Sequence, residues 1–144
     1  MQSFSTSFSV NATPQAVFEA INNVPAWWGP IEGQFQKVGD EFSYLHGELH
    51  YSKHRVTDLL PGKKVVWQTV DSQLNFVEQK DEWNGTTIVF DITPEHDLTR
   101  LTFRQEGLTT ALACYNDCSG AWRFYVHESL RDLILTGQGR PHQP

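Results

Sequence analysis

The sequence predicts an α+β fold in which a curved antiparallel sheet of about seven strands packs against one long C-terminal helix, with a short helical section after the first strand. Three observations predict it. Residues 4–10 alternate between apolar and polar side chains, the middle of the chain is a series of β-branched and aromatic runs separated by turn residues, and helical periodicity begins after Gly107.

The first strand and the short helix follow from residues 4–22. Phe4, Phe8 and Val10 share one face of an extended segment, which predicts a strand with one buried face. Thr13 is a suitable N-cap and Pro14 suits the first helical position, so a helix should run from there to about residue 22.

The middle of the chain predicts strands that follow one another through short turns. Turn residues such as those at 39–40, 46–47, 61–62, 84–85 and 94–97 separate the strand-like runs, which are 31–37, 40–46, 48–60, 63–72, 86–93 and 98–105. Short connections favour antiparallel pairing. Residues 71–83 show no clear period, although Phe76 and Trp83 favour burial.

The predicted C-terminal helix runs from about residue 109 to 135 and ends at Gly137. At 100° per residue, one sector collects the side chains expected on the sheet: Ala111, Tyr115, Cys118, Trp122, Val126, Ser129, Leu130 and Leu133. Phe124 and Leu135 fall on the opposite side. They point to a further contact such as a homodimer, although scattered exposed apolar residues are common.

Composition excludes several classes of function. Lys and Arg number 11 against 17 Asp and Glu, so the formal charge is −6 and neither nucleic acid nor an anionic membrane is an expected partner. No apolar run approaches the roughly 18–20 residues of a membrane span. Two cysteines suit a reducing compartment. We therefore expect a single domain over residues 1–144 in a soluble, unexported, cytoplasmic protein.

Histidines and cysteines form the two clusters with possible chemistry. His46, His50 and His54 recur every four residues, but Gly47 breaks any helix there; on a strand His50, Ser52 and His54 share a face. We rank solvated or strand-paired histidines first, polar groups at a cavity mouth second and a metal site third. Cys114 and Cys118 are expected to be buried free thiols.

No phrase of the sequence is a catalytic signature. A nucleophile elbow, a phosphate-binding glycine loop and a dinucleotide fingerprint are all missing, so we assign no catalytic residue, cofactor or metal. General acid or base chemistry by one or two cavity groups stays open. Its candidates are His50, His54 and Tyr44.

Aromatic residues make up 12% of the chain and include five Trp, which indicates either a very full core or a cavity walled by rings. With His50 and His54, the predicted ligand-binding residues are Trp28, Phe42, Tyr44, Trp67, Phe76, Phe90, Phe103, Trp122 and Tyr125. For any one of these rings, a plain core role is at least as good an interpretation.

Several local phrases resemble a known family. They are residues 8–14 leading into Val17-Phe18, then 60–67, 83–90, 99–103, 120–130 and the close at Thr136-Gly137. Together they resemble the activator of Hsp90 ATPase homologue 1-like family of the START-like, or Bet v 1-like, superfamily. The resemblance implies a helix-grip fold: a strongly curved sheet around a long C-terminal helix, with a cavity between them. Members include lipid carriers, hormone receptors, polyketide cyclases and co-chaperone domains, so the fold cannot name the function.

Three functions follow from this resemblance. The first is binding of a small hydrophobic or aromatic molecule between sheet and helix, with little or no catalysis. The second is an interaction module for an Hsp90-type chaperone, ranked lower because the eukaryotic co-chaperone has an additional N-terminal domain for which this chain has no room. The third is an enzyme of cyclase or hydrolase type that uses the same cavity.

Overall fold

The computed structural model describes residues 2–143 and contains a seven-stranded antiparallel sheet of order β1-β7-β6-β5-β4-β3-β2. The strands are β1 (Phe4–Val10), β2 (Ile31–Gly33), β3 (Glu41–His46), β4 (His50–Leu60), β5 (Lys64–Leu74), β6 (Thr87–Glu95) and β7 (Leu98–Glu106). The C-terminal helix lies on the concave face of this sheet. The structure therefore confirms the α+β helix-grip fold that the sequence predicts.

The pairing of β4 with β5 is irregular. The register between these strands shifts between Lys53 and His54 and again between Val56 and Asp58. Each such bulge puts an extra residue into one strand, which bends it and increases its local twist. Two bulges in the long central pair thus turn the sheet into a deep concave surface.

Several strands differ from the prediction at one or both ends, β2 and β5 among them. Strand β2 stops at Gly33 rather than continuing to residue 37, because the chain turns at 36–40, where the Asp40 carboxylate accepts the backbone N–H groups of Gln36 and Lys37. Strand β5 continues to Leu74, two residues beyond its predicted end. Its last part pairs with β4 alone, which a sequence pattern does not reveal.

Helix α1 (Pro14–Ile21) begins as predicted, with the Thr13 hydroxyl accepting from the N–H of Ala16 at 3.0 Å. A 3₁₀ turn at Val24–Ala26 follows and brings the chain to Trp27 and Trp28.

The C-terminal helix consists of α2 (Tyr115–Phe124), a π-helical segment (Tyr125–Leu130) and α3 (Arg131–Thr136). It begins at Tyr115, about six residues later than predicted. Residues 109–114 form turns, and the Glu82 carboxylate accepts the N–H groups of Ala113 and Cys114 at 2.9 and 3.0 Å. A carboxylate that satisfies free N–H groups stabilises a helix N-terminus, so a side chain distant in sequence sets where this helix starts.

The C-terminal tail crosses back over the corner before β2. The Ser129 hydroxyl donates to the carbonyl of Trp27 at 2.8 Å and accepts from the N–H of Arg140 at 2.7 Å. The N–H of His142 donates to the carbonyl of Trp28 at 2.9 Å. These bonds join the tail, the C-terminal helix and the Trp27-Trp28 corner.

We predict that Gly33→Ala lowers the free energy of unfolding by about 3 kcal/mol and Gly39→Ala by about 1 kcal/mol. Both glycines have positive φ, +106° and +95°. A Cβ on Gly33 would lie 2.4 Å from the carbonyl oxygen of Glu41 on the partner strand, whereas one on Gly39 would meet nothing within 4 Å. Urea titration of both variants measures the difference, and equal losses would contradict a close approach at Gly33.

Candidate functional site

A pocket of about 490 Å³ opens between the C-terminal helix and the part of the sheet formed by β3 and β4. Most of its wall is aromatic. The lining residues are Trp28, Tyr44, His46, Leu49, His50, Phe76, Trp83, Asp117, Cys118, Ala121, Trp122, Phe124 and Tyr125.

Adjacent positions of the β3–β4 hairpin form the sheet side of the pocket. Tyr44 and His46 lie on β3, two residues apart and thus on one face. His50 is the register partner of His46 at the start of β4. The Tyr44 hydroxyl lies 3.4 Å from Nδ1 of His46, whose ring stacks on that of His142 with centroids 3.7 Å apart.

The helix contributes one flank of α2 and of the π-helical segment, together with the buried Cys118 and Trp122. Asp117, Ala121 and Tyr125 are four residues apart and therefore lie along one side, with Phe124 next to them. Phe124 is half-buried in the pocket wall, so its predicted place on an outer face is wrong. The homodimer stays a prediction. Phe124 no longer supports it, whereas Leu135 still does, because it is 43% exposed.

A layer of stacked rings closes the bottom of the pocket. Trp28 stacks on Tyr44 with centroids 4.2 Å apart and planes 10° from parallel, and it lies 4.9 Å from Trp122. Trp122 in turn stacks on Trp83 at 5.7 Å. Its indole N–H donates to Oε1 of the fully buried Gln105 at 2.7 Å, which fixes the orientation of the ring.

The structure divides the predicted ligand-binding residues into two groups. Six of them line the pocket: Trp28, Tyr44, His50, Phe76, Trp122 and Tyr125. Five pack in the core outside its lining: Phe42, His54, Trp67, Phe90 and Phe103. Phe42, for example, lies edge-on to Trp67 at 4.9 Å and is 1% exposed. Tyr44 and Phe42 lie two residues apart on β3, and His50 and His54 lie four apart on β4, so strand periodicity could not separate pocket from core within either pair. The other four pocket residues lie outside the strands.

Other residues that line the pocket are not predicted by the sequence. Trp83 lies in residues 71–83, which have no period that predicts where a side chain faces. Its preference for burial was the only available signal, and Trp83 is indeed buried. Ala121 and Cys118 leave space for the pocket because their side chains are small beside large rings. Their small size indicates a cavity only when the sheet residues opposite them are known.

A chain of hydrogen bonds connects the pocket wall to the core. Nε2 of His50 lies 2.9 Å from the Ser52 hydroxyl, which lies 2.8 Å from Nε2 of His54. Nδ1 of His54 lies 3.0 Å from the hydroxyl of Thr69, its register partner on β5. His54 is thus a strand-paired histidine, which is one of the two interpretations that we rank first from the sequence. It is fully buried and not solvated.

Burial keeps His50, His54 and Tyr44 uncharged. It lowers the pKa of His54 to about 3, with a smaller contribution from His50. It lowers the pKa of His50 to about 3 as well, with a smaller contribution from His46. Burial and, second, the Tyr125 hydroxyl raise the pKa of Tyr44. The site therefore offers neutral donors and acceptors near pH 7.

The two cysteines are free and buried, as predicted. A hydrogen bond with the Cys114 thiol, and then burial, raise the pKa of Cys118. Cys118 therefore stays protonated, which makes it a poor nucleophile or metal ligand. Within residues 2–143, no group of three or more His, Cys, Asp or Glu side chains could hold a metal ion. No helix in the same residues is long and apolar enough to cross a bilayer.

We predict that His54→Asn reduces the loss of stability at acidic pH. An unfolded histidine has a pKa of about 6.5, whereas that of His54 in the folded protein is about 3. The unfolded state binds more protons between these values, so the stability is complete above pH 6.5 and is lost as the pH falls. Each such imidazole removes about 2 kcal/mol between pH 7 and pH 5.

Urea titrations at pH 7 and pH 5 measure this loss in each variant. His96→Asn is the control, because His96 lies at the exposed turn between β6 and β7. The control should lose as much stability as the unmodified protein, and His54→Asn about 2 kcal/mol less. The same loss in all three proteins would contradict a neutral His54.

Comparisons with known proteins agree with this architecture. The model of the family described as "Activator of Hsp90 ATPase homolog 1-like protein" matches residues 11–134. No curated protein matches the chain.

Solved structures show the same fold at low sequence identity. The Aha1 dimer from Colwellia psychrerythraea has a TM-score of 0.78 and 22% identity over 96% of this chain and 100% of its own. MLL2253 from Mesorhizobium loti has a TM-score of 0.73 and 15% identity over 93% and 96%. DynU16, from the dynemicin biosynthetic locus, has a TM-score of 0.71 and 15% identity. The match covers 97% of this chain and 50% of the DynU16 chain. From the match over residues 11–134, this chain belongs to the activator of Hsp90 ATPase homologue 1-like family.

Proposed function

We propose that this protein binds a small hydrophobic or aromatic molecule in the pocket between the β3–β4 hairpin and the C-terminal helix. The observation that carries the proposal is the wall of the pocket, which combines several rings with few polar groups. Its volume of about 490 Å³ lies within the roughly 300–1,000 Å³ typical of small-molecule sites.

The arrangement of the rings favours a flat ligand. Trp28, Tyr44, Trp83 and Trp122 form two stacked pairs whose planes lie 10° and 14° from parallel. Hydrogen bonds and packing hold these rings in place, so a ligand loses little free energy to ordering them. A planar apolar molecule can stack on such a surface and bury most of its area.

The charges favour an uncharged ligand. His50 and Tyr44 are held neutral by burial, so neither supplies a countercharge inside the pocket. Asp117 is exposed at the helix flank and repels anions, as does the formal charge of −6. A charged ligand would lose its hydration without gaining an ion pair.

We predict that Ala121→Trp weakens binding of N-phenyl-1-naphthylamine at least tenfold. Ala121 lines the pocket from an exposed helical position, so a large ring there occupies the cavity without disturbing the core. Ala16→Trp is the matched control, because Ala16 is also exposed on a helix but lies on α1, outside the pocket lining. Fluorescence titration measures both dissociation constants.

The control should bind the probe as the unmodified protein does. Mass spectrometry of gently purified protein extends the search to ligands that copurify. The proposal fails if a broad panel of lipids and aromatics gives no one-to-one complex, or if Ala121→Trp leaves binding unchanged.

An enzyme of cyclase or hydrolase type is an alternative, for which the pocket offers few candidate catalytic side chains. Of the two histidines expected from the sequence, His50 lines the pocket and His54 lies behind it. A neutral imidazole whose pKa is near 3 is a weak general base at pH 7. We therefore place catalysis below binding and assign no catalytic residue.

A chaperone-related role is the second candidate, and family membership is the observation that favours it. If binding is the function, adding this protein to a purified Hsp90-type chaperone should not change the rate of ATP hydrolysis. Ala121→Trp separates the two roles: stimulation that persists in this variant would support a protein-interaction module that works without the pocket.

A further inference from the structure

Four polar side chains form an unbroken line from the pocket into the core. His50, Ser52 and His54 lie on β4 and Thr69 on β5, and the three hydrogen bonds that join them are between 2.8 and 3.0 Å long. Ser52 and His54 are fully buried and Thr69 is 1% exposed. Water cannot complete the bonding of the inner members, so the chain must satisfy itself.

The chemistry of the groups allows this line to run in two directions. A neutral imidazole has one N–H donor and one acceptor nitrogen, and a hydroxyl donates one hydrogen. If both imidazoles donated to Ser52, its hydroxyl hydrogen would be buried without an acceptor, so Ser52 donates to one nitrogen and accepts from the other. Either every donor along the line points toward the pocket, from Thr69 to His50, or every donor points inward.

Thr69 decides between the two directions. Among residues 2–143, its hydroxyl has a hydrogen bond with Nδ1 of His54 and with no other group. If the donors pointed inward, Nδ1 of His54 would donate and the hydroxyl hydrogen of Thr69 would be buried without an acceptor. Such an unpaired donor costs about 1–3 kcal/mol. Thr69 therefore donates to His54, His54 donates to Ser52, and Ser52 donates to Nε2 of His50.

This direction leaves the free hydrogen of the line on Nδ1 of His50, in the pocket wall. That atom has no hydrogen-bond partner among the described residues. It is also not one of their buried unpaired side-chain atoms, which are Asn22 Oδ1, Trp67 Nε1 and Trp83 Nε1. Nδ1 of His50 is thus solvent-accessible, on a residue that lines the pocket.

We propose that His50 is a neutral Nδ1–H donor set by Ser52, His54 and Thr69, and that the pocket selects uncharged aromatic molecules with an acceptor oxygen, such as a carbonyl. The second part rests on the proposed function; the donor assignment does not. A ligand without an acceptor would leave the N–H group desolvated and unpaired, whereas an acceptor oxygen restores its bond.

The protonated nitrogen of His50 can be read directly from two-bond ¹H–¹⁵N spectra of the ligand-free, ¹⁵N-labelled protein, with His50→Gln to assign the signals. We expect the Nδ1–H form in the unmodified protein and in Thr69→Ser, which keeps the hydroxyl. Thr69→Val removes the terminal donor and should shift His50 toward the Nε2–H form. Thr57→Val is the matched control, because the Thr57 hydroxyl bonds the carbonyl of Val66 instead.

An Nε2–H form in the unmodified protein would overturn the donor assignment. So would an unchanged His50 spectrum in Thr69→Val.

Selectivity is tested with two probes of the same ring system, 2-acetylnaphthalene and 2-ethylnaphthalene. The acetyl compound should bind about five- to tenfold more tightly to the unmodified protein, the effect of one neutral hydrogen bond in a buried site. His50→Phe should bind both probes with equal affinity. Equal affinities in the unmodified protein, or a preference that survives in His50→Phe, would overturn the proposed selectivity.

The two proposals fail in different ways. Tight but equal binding of both probes leaves hydrophobic ligand binding intact and removes the acceptor preference. If neither these probes nor N-phenyl-1-naphthylamine binds, the proposed function and the selectivity fall together, while the spectra still decide the state of His50.

Discussion

The corner at Trp27 and Trp28 is the constraint on which the pocket depends. The indole N–H of Trp27 donates to the carbonyl of Ile21 at 3.1 Å, which ties the corner to α1. The carbonyls of Trp27 and Trp28 accept from the Ser129 hydroxyl and the His142 N–H, which tie it to the C-terminal helix and the tail. Because the backbone is held from three sides, the Trp28 ring has a fixed position. Loss of the corner would release the pocket floor as well as the tail.

A cavity exists beside this corner because the side chains of the helix are too small to fill the space under the curved sheet. The bulges of β4 and β5 make the sheet more concave than one helix can fill. Opposite Tyr44 and His50, the helix presents Cys118 and Ala121, which are too small to reach across. Where it presents Trp122, the space closes. The high aromatic content thus serves both as a full core and as the wall of a cavity on the same face of the sheet.

The sequence predicted what local patterns determine. Alternation and turn residues located the strands, and the Thr13-Pro14 cap located α1. The sequence could not predict features that depend on contacts between residues far apart in the chain. Glu82 fixes the start of the C-terminal helix. Phe124 lines the pocket because the pocket lies on the helix flank. Six residues of the predicted set line the pocket and five pack in the core, and strand period cannot tell a core ring such as Phe90 from a pocket ring such as Tyr44. That distinction depends on where the helix ends up.

The buried His54 is the part of the fold that stability alone does not explain. An apolar side chain at position 54 could pack against Phe42 and Trp67 without losing stability at acidic pH, and Ser52 and Thr69 would then have no partner to satisfy. Buried polar groups are tolerated when every member is bonded, and here every inner member is. In the direction that we propose, the one free end lies at the pocket wall. Departures from the best packing are expected at functional sites, and this line ends at the pocket that we propose, on the independent ground of its aromatic wall, as the ligand site.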